Sequence, residues 1–185
     1  GQGTTVKIYL PRLTAEPDPS DSAFPPDWEA RLDATPRPEP GDVYQLVFTS
    51  GTTHIDALRA LKAKKFVGFS YFRGEINKIY ARYFIDAGLE PLDMVGLDAD
   101  FQKVQEFSAQ QIYRWIKSHV KANKGAQAIY MLGPAWRTLD IIEPLENDCG
   151  IPVVHAVPAQ CWDTQRHLSV KEPVKGYGRL LAQML

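Results

Sequence analysis

Residues 125–161 read GAQAIYMLGPAWRTLDIIEPLENDCGIPVVHAVPAQC, and this stretch decides the fold. Ala128–Leu132 is a short apolar run of buried-strand type. Gly133-Pro134 breaks it. A helical pattern follows, with Leu139, Ile142 and Leu145 on one face and Asp140, Glu143 and Glu146 largely off it. Gly150 stops that helix, and Ile151–His155 is the next strand. Strand, helix and strand in so few residues make a βαβ unit, whose strands run parallel. Ligands of open parallel sheets gather at the carboxyl ends of the strands. Here those ends are Gly133-Pro134 and His155–Pro158, so chemistry is expected there.

The same alternation continues on both sides. Val6–Leu10 and Val43–Phe48 read as strands. Between them, residues 11–41 are crowded with proline and acids, and read as a long loop, a lid or a disordered segment, with a brief helix at Asp27–Leu32. Thr49-Ser50-Gly51-Thr52-Thr53 is a hydroxyl-rich turn before a helix at Ile55–Lys64. Phe66–Ser70 is a strand with Tyr71 at its carboxyl end. Glu75–Ala87 is a helix with Ile76, Ile79, Tyr80, Tyr83 and Phe84 on its apolar side. Leu92–Leu97 is a weaker strand. Ser108 caps a helix running to about Val120 on a stripe of Ile112, Trp115 and Ile116. Pro158–Leu168 is a further helix, and Arg179–Met184 is a last helical turn or two. This order predicts an α/β protein with a mainly parallel sheet.

Composition bounds the function. The chain has 185 residues, 44% hydrophobic and 23% charged, with a formal net charge of -1. That suits a protein with a real core and argues against a nucleic-acid binder, which would carry a basic patch. The run Lys62-Ala63-Lys64-Lys65 sits where a helix ends and complements its dipole. No apolar run approaches the roughly 20 residues that span a bilayer, so no membrane partner is expected. No signal peptide is evident, and the expected location is cytoplasmic. Two cysteines, Cys149 and Cys161, make neither a disulfide framework nor a metal site.

Four segments carry a resemblance: ALRALKAKKFVGFSYFRGEIN (Ala57–Asn77), GAQAIYMLGPAWRTLDIIEPLE (Gly125–Glu146), GIPVVHAVPAQCWD (Gly150–Asp163) and GYGRLL (Gly176–Leu181). In order and spacing the chain resembles the arylmalonate decarboxylase and maleate isomerase branch of the aspartate/glutamate racemase superfamily. The resemblance implies two pseudo-symmetric parallel-sheet αβα lobes, here with the first abbreviated. The first would comprise residues 1–65, completed by 158–185, and the second residues 66–157. It also implies a cofactor-free site, without metal, for a small carboxylic acid. Chemistry there passes through a carbanion, enediolate or thiol adduct, with one or two cysteines, one per lobe, as proton donor or nucleophile. The sequence departs from that pattern at Gly133, where the cysteine of the second lobe should fall. The spacing also leaves a turn-helix-strand segment absent between Phe48 and Thr49.

Candidate site residues follow, each with a structural alternative. Tyr71 falls where the decarboxylases place a tyrosine, able to donate to a carboxylate, or is a partly buried aromatic. Thr49, Ser50, Thr52 and Thr53 form a carboxylate nest or serve as turn and cap residues. Asn77 binds substrate or only the loop. Gly133 offers an N–H to an oxyanion, while Pro134 beside it cannot. His155 is the group at a strand end that would titrate near neutral pH, as general acid/base or as a structural histidine. Cys161 lies near a helix start, where a thiol pKa falls, or is a small apolar residue. Three functions are compatible with this set. The first is a cofactor-independent decarboxylase or isomerase/racemase acting on a small mono- or dicarboxylic acid. The second is an inactive relative that binds such an acid. The third is a lyase or hydratase reaction with His155 as base. Association into an oligomer stays open.

Overall fold

The computed structural model describes residues 49–184 apart from Arg73, Asp98 and Pro134. The expected strands Val6–Leu10 and Val43–Phe48, the proline-rich segment and its brief helix lie outside the described residues, as does Pro134.

The described chain alternates helix and strand: α1 (Ser50–Ala60), β1 (Lys65–Ser70), α2 (Gly74–Asp86), β2 (Glu90–Gly96), α3 (Ala109–Ala122), β3 (Ala128–Met131), α4 (Ile142–Cys149), β4 (Val153–His155), α5 (Ala156–His167) and α6 (Arg179–Gln183). The four strands form one sheet in the order β2-β1-β3-β4, and every pairing is parallel. The protein is α/β, as the pattern requires. Register pairs Val67 with Ile129 and Met131 with His155, which brings the carboxyl ends of β1, β3 and β4 to one edge.

Alternation along the strands divides the core in two. Phe66, Tyr130 and Val154 face one side and pack with Leu58 of α1, Phe84 of α2, Ala159 of α5 and Leu180 of α6. Val67, Phe69, Ile129, Met131 and Val153 face the other and pack with Ile112 and Ile116 of α3 and Ile142 and Leu145 of α4. These two layers make an αβα sandwich. Helices α1, α5 and α6, assigned above to the first lobe, lie on the sheet of β1–β4.

Local signals explain most boundaries. Ser108 caps α3 with a full capping box, its hydroxyl accepting from the Gln111 N–H while the Gln111 side chain accepts from the Ser108 N–H. A cap of that kind contributes about 1 kcal/mol. Helix α4 ends at Gly150, as expected. Two expectations fail. Helix α1 begins at Ser50 rather than Ile55, so the hydroxyl-rich turn is its first turn. On α2 the predicted apolar side is largely outside: Ile79 is 67% exposed, Ile76 44% and Tyr83 39%. Of the expected residues that helix buries Phe84, and with it Asn77, seven residues apart on the face toward the sheet.

The GYGRLL segment is explained by packing. Gly178 has φ +91°, and a Cβ there would meet Ile142 Cγ2 at 2.8 Å. The backbone N–H of Gly176 donates to Glu143 Oε1 at 2.9 Å, and that of Arg179 donates to Glu146 Oε2 at 3.0 Å. Glu146 also accepts from the Val153 N–H at 2.8 Å. This buried carboxylate therefore ties β4 and α6 to α4, and its burial raises its pKa.

Candidate active site at the carboxyl edge of the sheet

Chain reversal after β1 and after β3 places Tyr71 against Gly133. Gly133 has φ +106°, a conformation that favours glycine, and a Cβ built on it would lie 2.2 Å from Tyr71 Cε1 and 2.7 Å from the phenol oxygen. The hydroxyl of Tyr71 thus stands where a side chain at position 133 would begin. Tyr71 is 6% exposed. Burial, and then the neighbouring Tyr80, raise its pKa, so the phenol stays protonated through neutral pH. Its ring packs between Phe72 and Trp136, with centroids 4.7 and 5.7 Å away.

His155 ends β4 and caps α5. Its Nδ1 accepts from the Val157 N–H at 3.2 Å. A neutral imidazole that accepts at Nδ1 carries its proton on Nε2, and that nitrogen lies 3.2 Å from Thr138 Oγ1. The side chain is buried, and burial lowers its pKa to about 4. The expectation of a group titrating near neutral pH is corrected: both ring nitrogens are engaged and the ring is neutral. A second buried ring, His54 in the first turns of α1, lies with Nδ1 3.0 Å from Tyr130 Oη. Burial, and then the nearby His155, bring its pKa to about 4 as well.

The hydroxyls at the head of α1 are spent on the helix and its neighbour. Thr49 is the N-cap, its Oγ1 accepting from the Thr52 N–H at 3.3 Å. Thr52 Oγ1 donates to the Thr49 carbonyl at 2.9 Å. Thr53 is buried, and its Oγ1 donates to Asp163 Oδ2 on α5 at 2.9 Å. Arg166 approaches the other oxygen of Asp163 at 3.0 Å, and His167 Nδ1 approaches it at 3.2 Å. Thr53 therefore joins α1 to α5. Thr49 and Ser50 stay exposed at the helix start, where backbone N–H groups lack intrahelical partners.

Two further candidates lie on α2 and α5. Asn77 takes a hydrogen bond from Ser70 Oγ on its Oδ1 and gives one from Nδ2 to the Phe72 carbonyl at 3.0 Å. Its amide holds the turn between β1 and α2. Cys161 is the sixth residue of α5 rather than its start, and it is exposed while Ala159, Trp162 and Asp163 on the same helix are buried. The structure thus brings Tyr71 and Gly133 together and gives Thr49, Thr52, Thr53, Asn77 and His155 fold-building contacts. Thr138, Asp163 and Trp136 lie outside the candidate site residues that the sequence singles out. Asp163 carried a sequence signal, as an acid inside the apolar face of a helix; Thr138 and Trp136 carried none. Among the described residues, no group of three or more His, Cys, Asp or Glu is placed to hold a metal ion. None of their helices is long and apolar enough to cross a membrane.

Comparison with known proteins agrees with this architecture. A solved arylmalonate decarboxylase superposes with a TM-score of 0.68 at 23% identity, over 73% of this chain and 60% of that one. The maleate isomerase Iso from Pseudomonas putida S16 gives 0.67 at 22% identity, over 75% and 56%. The Nocardia farcinica maleate cis-trans isomerase gives 0.64 at 26% identity, over 75% and 56%. The chain thus spans at most about 60% of these relatives' lengths. No curated protein matches it. The family model for arylmalonate decarboxylase matches residues 45–181, and by that match the chain belongs to the arylmalonate decarboxylase family.

Proposed function

We propose that this protein is a cofactor-independent carbon-acid enzyme that takes a small mono- or dicarboxylic acid at the carboxyl edge of the sheet, with Tyr71 as its proton donor. The observation that carries the proposal is the seat of the Tyr71 phenol on Gly133. The resemblance puts a thiol at position 133, and here a buried, protonated hydroxyl occupies the start of that side chain's space. The Gly133 N–H supplies a fixed dipole for negative charge on the substrate, and the surrounding aromatic rings exclude water.

Decarboxylation suits this arrangement best among carbon-acid reactions. The C–C bond to the leaving carboxylate breaks, CO2 departs, and the electron pair stays on the α-carbon as an enediolate. Tyr71 gives its proton to that carbon, and the phenolate regains one from water. A phenol is a far stronger acid than the protonated carbon, so the transfer runs downhill. One proton donor is enough, whereas racemisation needs a donor and an acceptor on opposite faces. A hydratase or lyase reaction with His155 as base has less support, since both ring nitrogens are engaged, by the Val157 N–H and Thr138 Oγ1.

A second reading, binding of the acid without turnover, is favoured by the glycine at position 133. One experiment separates the two. Phenylmalonate, maleate, aspartate and glutamate are offered in deuterated water. Solvent deuterium at the α-carbon of product, lost in Tyr71→Phe but retained in His155→Gln and Cys161→Ala, supports the enzyme. Saturable binding with no exchange supports the binder, and neither binding nor exchange ends both.

A further inference from the structure

Helix α2 turns an apolar face to solvent, and nothing above uses it. Ile79 is the most exposed large apolar residue there, with Ile76 and Tyr83 beside it. Single exposed apolar residues are ordinary, but three on one helix face form a patch. At about 100° per residue, Ile79 stands almost opposite the buried Asn77 and Phe84. Ile76 and Tyr83 lie together on one flank of Ile79, and Glu75 and Arg82 lie together on the other. A shallow depression of about 430 Å³ follows the same face, lined by Glu75, Lys78, Ile79, Arg82, Tyr83 and Asp86.

The charges on this face pair within their own helix. Lys78 Nζ lies 2.6 Å from Glu75 Oε1, and Arg82 Nε lies 2.8 Å from Asp86 Oδ1. All four side chains are more than half exposed, and ion pairs of that kind contribute at most about 1 kcal/mol. They can exchange partners at little cost.

We propose that a second copy of this chain covers the face, its α2 crossing the first antiparallel about a twofold axis beside Ile79. The charge pattern selects both partner and register. Each Ile79 enters the space bounded by Glu75, Lys78, Ile79 and Arg82 of the other copy, as a knob enters a four-residue hole. The twofold axis sets each flank of the helix against the same flank of its copy. Ile76 then meets Tyr83 on one side and Glu75 meets Arg82 on the other, each contact made twice. A register one turn further along would bring Glu75 to Asp86, and a parallel crossing would put Glu75 level with Glu75; like charges oppose both. This contact does not rest on the function proposed above.

Sedimentation equilibrium of the full chain tests it, with circular dichroism to verify that each variant folds. The unaltered chain should form a dimer. Ile79→Asp should raise the dimer Kd at least tenfold, roughly 1.4 kcal/mol. Glu75→Arg and Arg82→Glu should each weaken association, and mixing the two variants should restore it, because opposite charges then meet at both ends of the crossing. If Ile79→Asp does not fold, the mixing experiment decides alone. A chain that stays monomeric at its highest soluble concentration overturns the proposal and leaves the face to another protein. A dimer that Ile79→Asp leaves intact, or a mixture no tighter than the single variants, overturns it as well.

Discussion

The ring of Tyr71 rests on the α-carbon of Gly133, so close that a Cβ there would sit 2.6 Å from the phenol Cζ. This contact links two strand ends that are more than sixty residues apart in sequence. It joins a backbone conformation open to glycine with a buried phenol in the space left over, so a side chain added at position 133 needs Tyr71 to move or shrink.

Restoring a thiol should therefore be costly. Gly133→Cys places a side chain at φ +106° and into the Tyr71 ring. Strain and overlap together should destabilise the fold by about 2–4 kcal/mol, read as a lower denaturant midpoint at unchanged slope. Combining it with Tyr71→Ala should recover the overlap but not the backbone strain, so the double variant should be less destabilised than the sum of the two single changes. Strict additivity would mean that the two side chains do not compete for the space.

Stability should fall with acid well above the carboxylate range. His54 and His155 ionise near 6.5 when unfolded and near 4 when folded. Between those values the unfolded chain binds more protons. Their contribution is therefore complete above about pH 6.5 and is lost as pH drops toward 4, on the order of 3 kcal/mol per ring. Glu146 acts in the opposite sense, because its raised pKa lets the folded state keep a proton longer. Urea midpoints measured from pH 7.5 to 4.5 should slope downward with acid. The slope should flatten in His54→Gln and in His155→Gln, whatever each change does to absolute stability.

Asp163 should matter more than its place on a helix suggests. Its side chain is 3% exposed and is held by Thr53, Arg166 and His167. Thr53→Val removes one donor and should cost about 1–2 kcal/mol. Asp163→Ala strips the partner from all three and should cost about 3 kcal/mol or more. Hydrogen exchange in α1 should accelerate in both variants, since that bond fastens α1 to α5.

Cys161 should behave as a surface thiol. It is exposed on α5, on the face opposite the buried Ala159, Trp162 and Asp163. Iodoacetamide should alkylate it readily in the folded protein, and the modified chain should bind and turn over acid as before. Loss of ligand binding on alkylation would place the site elsewhere.

The sequence by itself determined the order of elements, the parallel sheet, the Ser108 cap and the Gly150 stop. Each rests on residues within a turn or two of one another, where hydrophobic period, capping hydroxyls and glycine act locally. It also marked the carboxyl edge of the sheet, because parallel strands leave a cleft there wherever the chain reverses. Tertiary structure alone decided what the residues at that edge do. Thr53 reaches Asp163 across 110 positions, Tyr71 lies on Gly133, and His155 gives both nitrogens to near neighbours. A hydroxyl, a phenol or an imidazole has several uses in isolation. Which use it takes depends on the partner that folding brings within 3 Å or so, and on how much water is left beside it.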